Sequence, residues 1–247
     1  MRLRQIAIAA SDLEATAAAL CDVLGVGGPF RDPGVAAFGL ENAVFPIGET
    51  FLEVVSPVRD DATAKRWIAK RGGDAGYMVI VQCDDLATLG REVERAQRWG
   101  AVAVWQGEHA GARTVHFHPR TLGAIASLDA MPTGGDWVWA GPGWRERAQI
   151  ATTRTITGAE LASPDPERLA ANWTALLGIK ARRADDGLEI ALPRGGRIAF
   201  APGAENALVG VEVALADRAR FEARARARGV LGADGAATIA GVRFIPA

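Results

Sequence analysis

One pattern, used four times, constrains this chain more than anything else in it. Each copy has an alternating apolar strand, an aspartate seven residues after the strand's opening position, and a helix that closes on glycine. The copies read QIAIAASDL over 5–13, MVIVQCDDL over 78–86, GAELASPDP over 158–166 and GVEVALADR over 210–218. An Asp in that place caps a helix, because its carboxylate accepts amide N–H groups that the first turn leaves unpaired. Pro166 suits a first helical position, and Gly25, Gly100, Gly178 and Gly229 supply the stops.

After each helix come segments fit for short antiparallel strands. They are 35–40, 43–47 and 50–55 in the first copy, 102–106, 114–118 and 124–128 in the second, and 187–192 and 197–201 in the third. The fourth copy reaches only 242–247 and reads as truncated. The repeating unit is therefore β-α-β-β-β, the class α+β, and the expected arrangement two domains of two units each. A Pro/Gly-rich stretch with Trp137, Trp139 and Trp144 is the best boundary, which gives domains at 1–131 and 151–247 and a connector at 132–150. Three indoles in a connector are expected to pack down on a domain surface rather than stack on a ligand.

The chain is 49% hydrophobic and 23% charged, enough for real cores, and 28 basic against 29 acidic residues leave a net charge of -1. That balance gives no reason to expect nucleic acid or an anionic membrane as partner. Cys21 and Cys83 are too few for a disulfide framework, and Asp12 and Glu14 interrupt the only leader-like stretch. A cytoplasmic protein that handles a small molecule is the expectation.

Four such units resemble the vicinal-oxygen-chelate superfamily, which includes glyoxalases, extradiol dioxygenases and bleomycin-resistance proteins. The stretches that carry the likeness are 5–13, FLEVVSP at 51–57, GYMVIVQCDDL at 76–86, and Phe117-His118-Pro119 leading to Gly123 and Leu128. The resemblance implies curled mixed sheets around a cleft, with metal ligands from the first and last strands of each unit. Carried over, those positions are Gln5, Glu53, Met78 in place of His, and Ser127 in place of Glu. One carboxylate and one amide are too few donors for a divalent ion, so neither metal nor other cofactor is expected. In the second half the corresponding residues are Gly158, Ile198 and Gly210, with no evident fourth.

Strand alternation sets Gln5, Ala7 and Ala9, Phe51, Glu53 and Val55, Met78, Ile80 and Gln82, and Ile125 and Ser127 on one face, the cleft wall under the resemblance. Such a wall is mostly apolar with a few polar groups, as a small organic ligand requires. Between Phe51 and Val55 the Glu53 carboxyl is expected to be desolvated and raised in pKa, ready as a base or anchor; the alternative is an edge-strand Glu in water. His116 and His118 share a face and can bind metal with Gln5, Glu53 or Asp129, or move a proton; alternatively His118 holds the turn at Pro119. Glu160 and Glu212 are either paired catalytic carboxylates or partners of Arg182, Arg183, Arg197 or Arg243. The arginines at 220, 224 and 228 read as a solvated helix face rather than a phosphate site.

Two functions stay open. One is a lyase or isomerase acting next to a carbonyl, with Glu53 as base, Gln5 or His116 steadying the oxygen, and Phe51, Met78, Ile80, Gln82, His118, Ile125 and Ser127 as substrate contacts. The other is a non-catalytic binder of the bleomycin-resistance type. A homodimer is compatible with either, and the sequence names no substrate.

Overall fold

A computed structural model describes residues 1–132, 136–184 and 187–247. Thr133, Gly134 and Gly135 of the connector thus lie outside the described residues. The first repeat comprises β1 (Arg2–Ala9), α1 (Leu13–Leu24), β2 (Leu40–Ile47) and β3 (Thr50–Pro57). After α2 (Thr63–Arg71) the second follows as β4 (Ala75–Gln82), α3 (Leu86–Arg98), β5 (Ala103–His109), β6 (Ala112–Phe117) and β7 (Ile125–Ala130). Past the short α4 (Trp144–Arg147), the third is β8 (Thr153–Ser163), α5 (Pro166–Leu177), β9 (Arg182–Ala184), β10 (Gly187–Ala191) and β11 (Arg197–Pro202). The fourth is β12 (Ala207–Leu215), α6 (Arg218–Ala227), β13 (Ala237–Ile239) and β14 (Val242–Pro246).

All four capping aspartates act as expected. Asp12, Asp85, Asp165 and Asp217 accept the backbone N–H three residues on, at 2.9, 2.6, 2.9 and 2.9 Å. The α+β class holds, with β1–β7 in one mixed seven-stranded sheet and β8–β14 in another. Residues 35–40, expected as a strand, instead form a 3-10 turn over Pro33–Phe38. The cause is local: the Asp32 carboxylate accepts from Gly34 N–H, Pro33 fixes the first φ, and Gly39 closes the turn at φ 70°. A lone bridge between Phe30 and Val44 is what stands beyond β2, and Leu231 with Ala237 makes its counterpart beyond β13. The first repeat is therefore as short as the last. The helix α2 and the strand β9 escaped the sequence reading.

By compactness the chain divides into two units, each discontinuous in sequence. The terminal-repeat unit holds Gln5–Tyr77, Trp139–Thr157 and Val209–Ala247. Its strands run β2-β3-β1 and β13-β14-β12. There α1 packs on α6, and Asp22 accepts from Arg224 at 2.9 Å and Arg228 at 2.6 Å. Trp144 is buried and meets the Phe51 ring edge-on at 5.0 Å, so this part of the connector does pack down. The middle-repeat unit holds Met1–Arg4, Met78–Val138 and Gly158–Leu208, with strands β4-β7-β6-β5 and β8-β11-β10-β9. Its helices α3 and α5 are locked by Arg95, which donates to the Ala175 and Leu176 carbonyls at 2.5 and 2.6 Å. Among the described residues no helix is long and apolar enough to cross a membrane.

Candidate functional site

In the terminal-repeat unit, β3 runs between β1 and β2, so a side chain on it meets partners from both neighbours. The parallel register sets Gln5 beside Phe51 and Ala7 beside Glu53, and the antiparallel one sets Val44 beside Glu53. Gln5 Nε2 donates to Glu53 Oε2 at 2.9 Å and Asn42 Nδ2 donates to Oε1 at 2.7 Å. Asn42 is itself fixed, because its Oδ1 accepts the Asp32 N–H at 2.8 Å. Glu53 is only 8% exposed. Burial pushes its carboxyl above the usual range, and the Asp32 charge adds to this; the Asn42 and Gln5 hydrogen bonds pull the other way. The solvated alternative for Glu53 is thereby set aside. Sequence reading missed Asn42 and Asp32; the signal was Asn42 abutting the apolar run 43–47, with Asp32-Pro33 opening a turn upstream. Tyr77 is pushed up to about 12 by burial and by the Glu53 charge, so its phenol keeps its proton.

The remaining candidates sit in the middle-repeat unit. Met78 lies opposite Ile125 and Ile80 opposite Ser127, all buried, and Gln82 Oε1 accepts from Arg2 Nε at 2.9 Å. Ser127 donates to Asp129 Oδ1, and the Thr114 hydroxyl bonds both, at 2.9 Å to Ser127 and 3.0 Å to Asp129. His116 is paired across the ladder with Ser127 and packs on Trp105 at 4.6 Å; burial lowers its pKa to about 4, so it is neutral at physiological pH. His118 lies past the end of β6, and its Nδ1 accepts the Arg120 N–H at 3.1 Å, which is the turn-holding role. Burial also raises both thiols, Cys83 to about 12, so neither is activated.

A model of the glyoxalase-like domain family matches residues 6–177. The chain belongs to that family. Among solved structures, the glyoxalase-like chain is similar to a hypothetical protein from Staphylococcus aureus, with 10% identity, TM-score 0.68, and 100% of this chain and 99% of that one covered. It is also similar to a mutant 4-hydroxymandelate synthase from Streptomyces coelicolor, with 16% identity, TM-score 0.68 and coverage of 93% and 75%. A third is the Mn(II)-bound glyoxalase from Novosphingobium aromaticivorans, with 16% identity, TM-score 0.66 and coverage of 99% and 80%. These neighbours carry the fold, that of the vicinal-oxygen-chelate superfamily. No curated protein matches the sequence.

The superfamily's usual metal does not fit the donors here. The registers make Met78 the counterpart of Gln5 and Ser127 the counterpart of Glu53. They are a thioether and a hydroxyl already committed to Asp129, both poor donors to a hard or borderline cation. Among the described residues no three His, Cys, Asp or Glu side chains gather as a metal site. In the second half of the glyoxalase-like chain the registers correct one assignment. Gly158 pairs with Arg197 and Glu160 with Ala199, so the counterpart of Glu53 is Ala199 rather than Ile198, and the fourth repeat does supply one, Ile245. Both are apolar. Of the arginines expected beside Glu160 and Glu212, Arg182 and Arg197 bind Glu189, Arg183 binds Glu167, and Arg243 binds Asp234.

Proposed function

We propose that the chain is a small-molecule enzyme of the glyoxalase-like kind, a lyase or isomerase, in which Glu53 takes a proton from a carbon next to a carbonyl. The observation that supports this is the buried Glu53 carboxyl, raised in pKa and held at each oxygen by a neutral amide. A general base is most effective when its pKa is drawn toward the working pH, and burial among apolar strands does that here. The amide bonds aim the carboxylate without neutralising it. The C–H electron pair moves onto the carbonyl to give an enolate, whose oxygen needs a donor; the Gln5 amide, which lies against Glu53, is the candidate. Glu53 then returns the proton to carbon, or the enolate expels a leaving group.

Solvent exchange tests this. In D2O, a panel of small carbonyl compounds with one acidic C–H is followed by NMR for deuterium at that carbon. Exchange by the wild type that falls about 10²- to 10⁴-fold in Glu53→Gln is the expected result. A second reading is favoured by both carboxylate oxygens being already engaged: a binder that uses Glu53 to shape its wall. Ligand uptake by calorimetry with no exchange in either protein would establish the binder and remove the enzyme.

A further inference from the structure

We infer that the β5 edge of the middle-repeat unit is a docking surface for a second copy of this chain, packed two-fold with β5 antiparallel to β5. A sheet edge offers a row of backbone donors and acceptors to any passing strand, and proteins blunt such edges by shortening, charging or covering them. Three of the four edges here are blunted. In the middle-repeat unit, β9 has three residues, two of them Arg182 and Arg183. In the terminal-repeat unit β13 also has three, and the Val230 carbonyl takes its Thr238 N–H. β2 is buried along nearly all its length, contains Pro46 and is bridged by Phe30. β5 is the exception: seven residues, mostly exposed, with no Pro, Lys or Arg. A bulge at Val104 and the single charge of Glu108 near its far end are the protective features it shows.

Exposed apolar side chains also crowd the stretch that leads into and opens β5. Trp99 is 74% exposed, Val102 61%, Val104 49% and Trp105 37%, all within seven residues. At roughly 150–250 Å² per whole aromatic side chain, the two indoles alone offer about 200 Å² of open apolar surface, and the valines extend this into the range of interaction sites. Two such edges give the apolar centre of a modest, reversible dimer rather than an obligate one.

The pattern of this edge suits itself. A two-fold axis near Val104 sets Val104 against Val104 and Ala103 against Trp105, apolar on apolar, with Val102 against the uncharged Gln106, while an axis at Gln106 would set Val104 against Glu108. With a net charge of -1 per chain, no long-range repulsion opposes the pairing.

Sedimentation of the full chain from low to about 100 micromolar tests the inference, since dimers of this size associate in that range. The expected result is a concentration-dependent dimer whose dissociation constant rises at least about tenfold in Val104→Lys and in Trp99→Glu. Trp99 lies outside the strand, so its variant keeps the test valid should the lysine disturb β5. Amide exchange over 103–109 should slow as wild-type concentration rises. A wild type that stays monomeric throughout, or a dimer that neither substitution weakens, overturns the inference; binding of a foreign strand to a monomeric wild type would do so as well.

Discussion

Glu53 and Ser127 occupy the same register position in the first and second repeats, one in each compact unit, yet their surroundings differ in kind. Glu53 is a buried carboxylate met by two amides, from β1 and β2. At the equivalent of Val55, two residues past Ser127, the middle-repeat unit holds its own buried carboxylate, Asp129, met by the hydroxyls of Ser127 and Thr114. Amide N–H groups only donate, and Asn42 is pinned by Asp32, so Glu53 is met as an acceptor at both oxygens. Hydroxyls can turn and serve either way. One backbone plan thus yields an amide-held carboxyl in one unit and a hydroxyl-held one in the other.

The sharpest way to break this contrast is to delete each side chain. Glu53→Ala leaves two buried amides without their acceptor and is expected to cost about 2–4 kcal/mol in denaturant unfolding. Ser127→Ala should cost less, about 1 kcal/mol, because Thr114 still donates to Asp129. Equal costs would mean that the two sites are alike. Next in size is Asn42→Ala, which removes one of the two donors and is expected to cost about 1–3 kcal/mol. Glu53→Gln should be mild, since Gln5 can turn its amide to present Oε1 while Asn42 still finds an oxygen.

Acidity sharpens the comparison further. The Glu53 pKa is raised in the native state, so its carboxyl favours folding below the ordinary carboxylate range and loses that contribution as pH climbs through the raised value. Thermal melts of wild type against Glu53→Gln should diverge over that interval, with the wild type losing ground as pH rises. His116 has the opposite sign: its pKa falls from 6.5 to about 4, so native stability declines as pH drops below 6.5 toward 4. His116→Phe should flatten the acid limb alone. A wild-type acid limb unchanged by that substitution would place the protonation elsewhere.

How much of this was legible in the sequence follows from the range of the forces involved. The four Asp caps and the alternating strands are local, so the α+β plan and the repeats could be read directly. The Gln5–Glu53 contact was legible through strand parity, because register converts sequence spacing into a shared face. Asn42 was not, since the strand was expected to begin only at 43, whereas β2 starts at Leu40 and its register with β3 brings Asn42 to Glu53, with the Asp32 N–H from the turn at Pro33 fixing the amide. The shared face expected for His116 and His118 was misjudged for a similar reason: β6 ends at Phe117, so His118 leaves the strand and holds its own turn, the alternative reading. The arginines at 220, 224 and 228 are exposed, as read, but Arg224 and Arg228 also hold Asp22, which lies some 200 positions away in sequence, beyond the reach of any local pattern.

That helix junction gives the smallest effects and the last contrast between the units. Arg95 in α3 is partly buried and donates to two carbonyls at the end of α5, where helix dipoles favour a cation. Gly178 keeps the space open, for a Cβ there would lie 2.8 Å from the guanidinium. Arg95→Ala is therefore expected to cost about 1–2 kcal/mol, with a weak salt dependence because Arg95 and its ion-pair partner Glu92 are mostly buried. The α1–α6 junction rests instead on Asp22 with Arg224 and Arg228, more open to solvent. Asp22→Asn should cost only about 0.5 kcal/mol, and the difference should vanish in high salt as screening removes the attraction. Chemical denaturation in urea at low and high ionic strength separates the two. If Asp22→Asn were as costly as Arg95→Ala at both ionic strengths, the ion pair would be part of the packed core of its unit, and the two helix junctions would be equivalent.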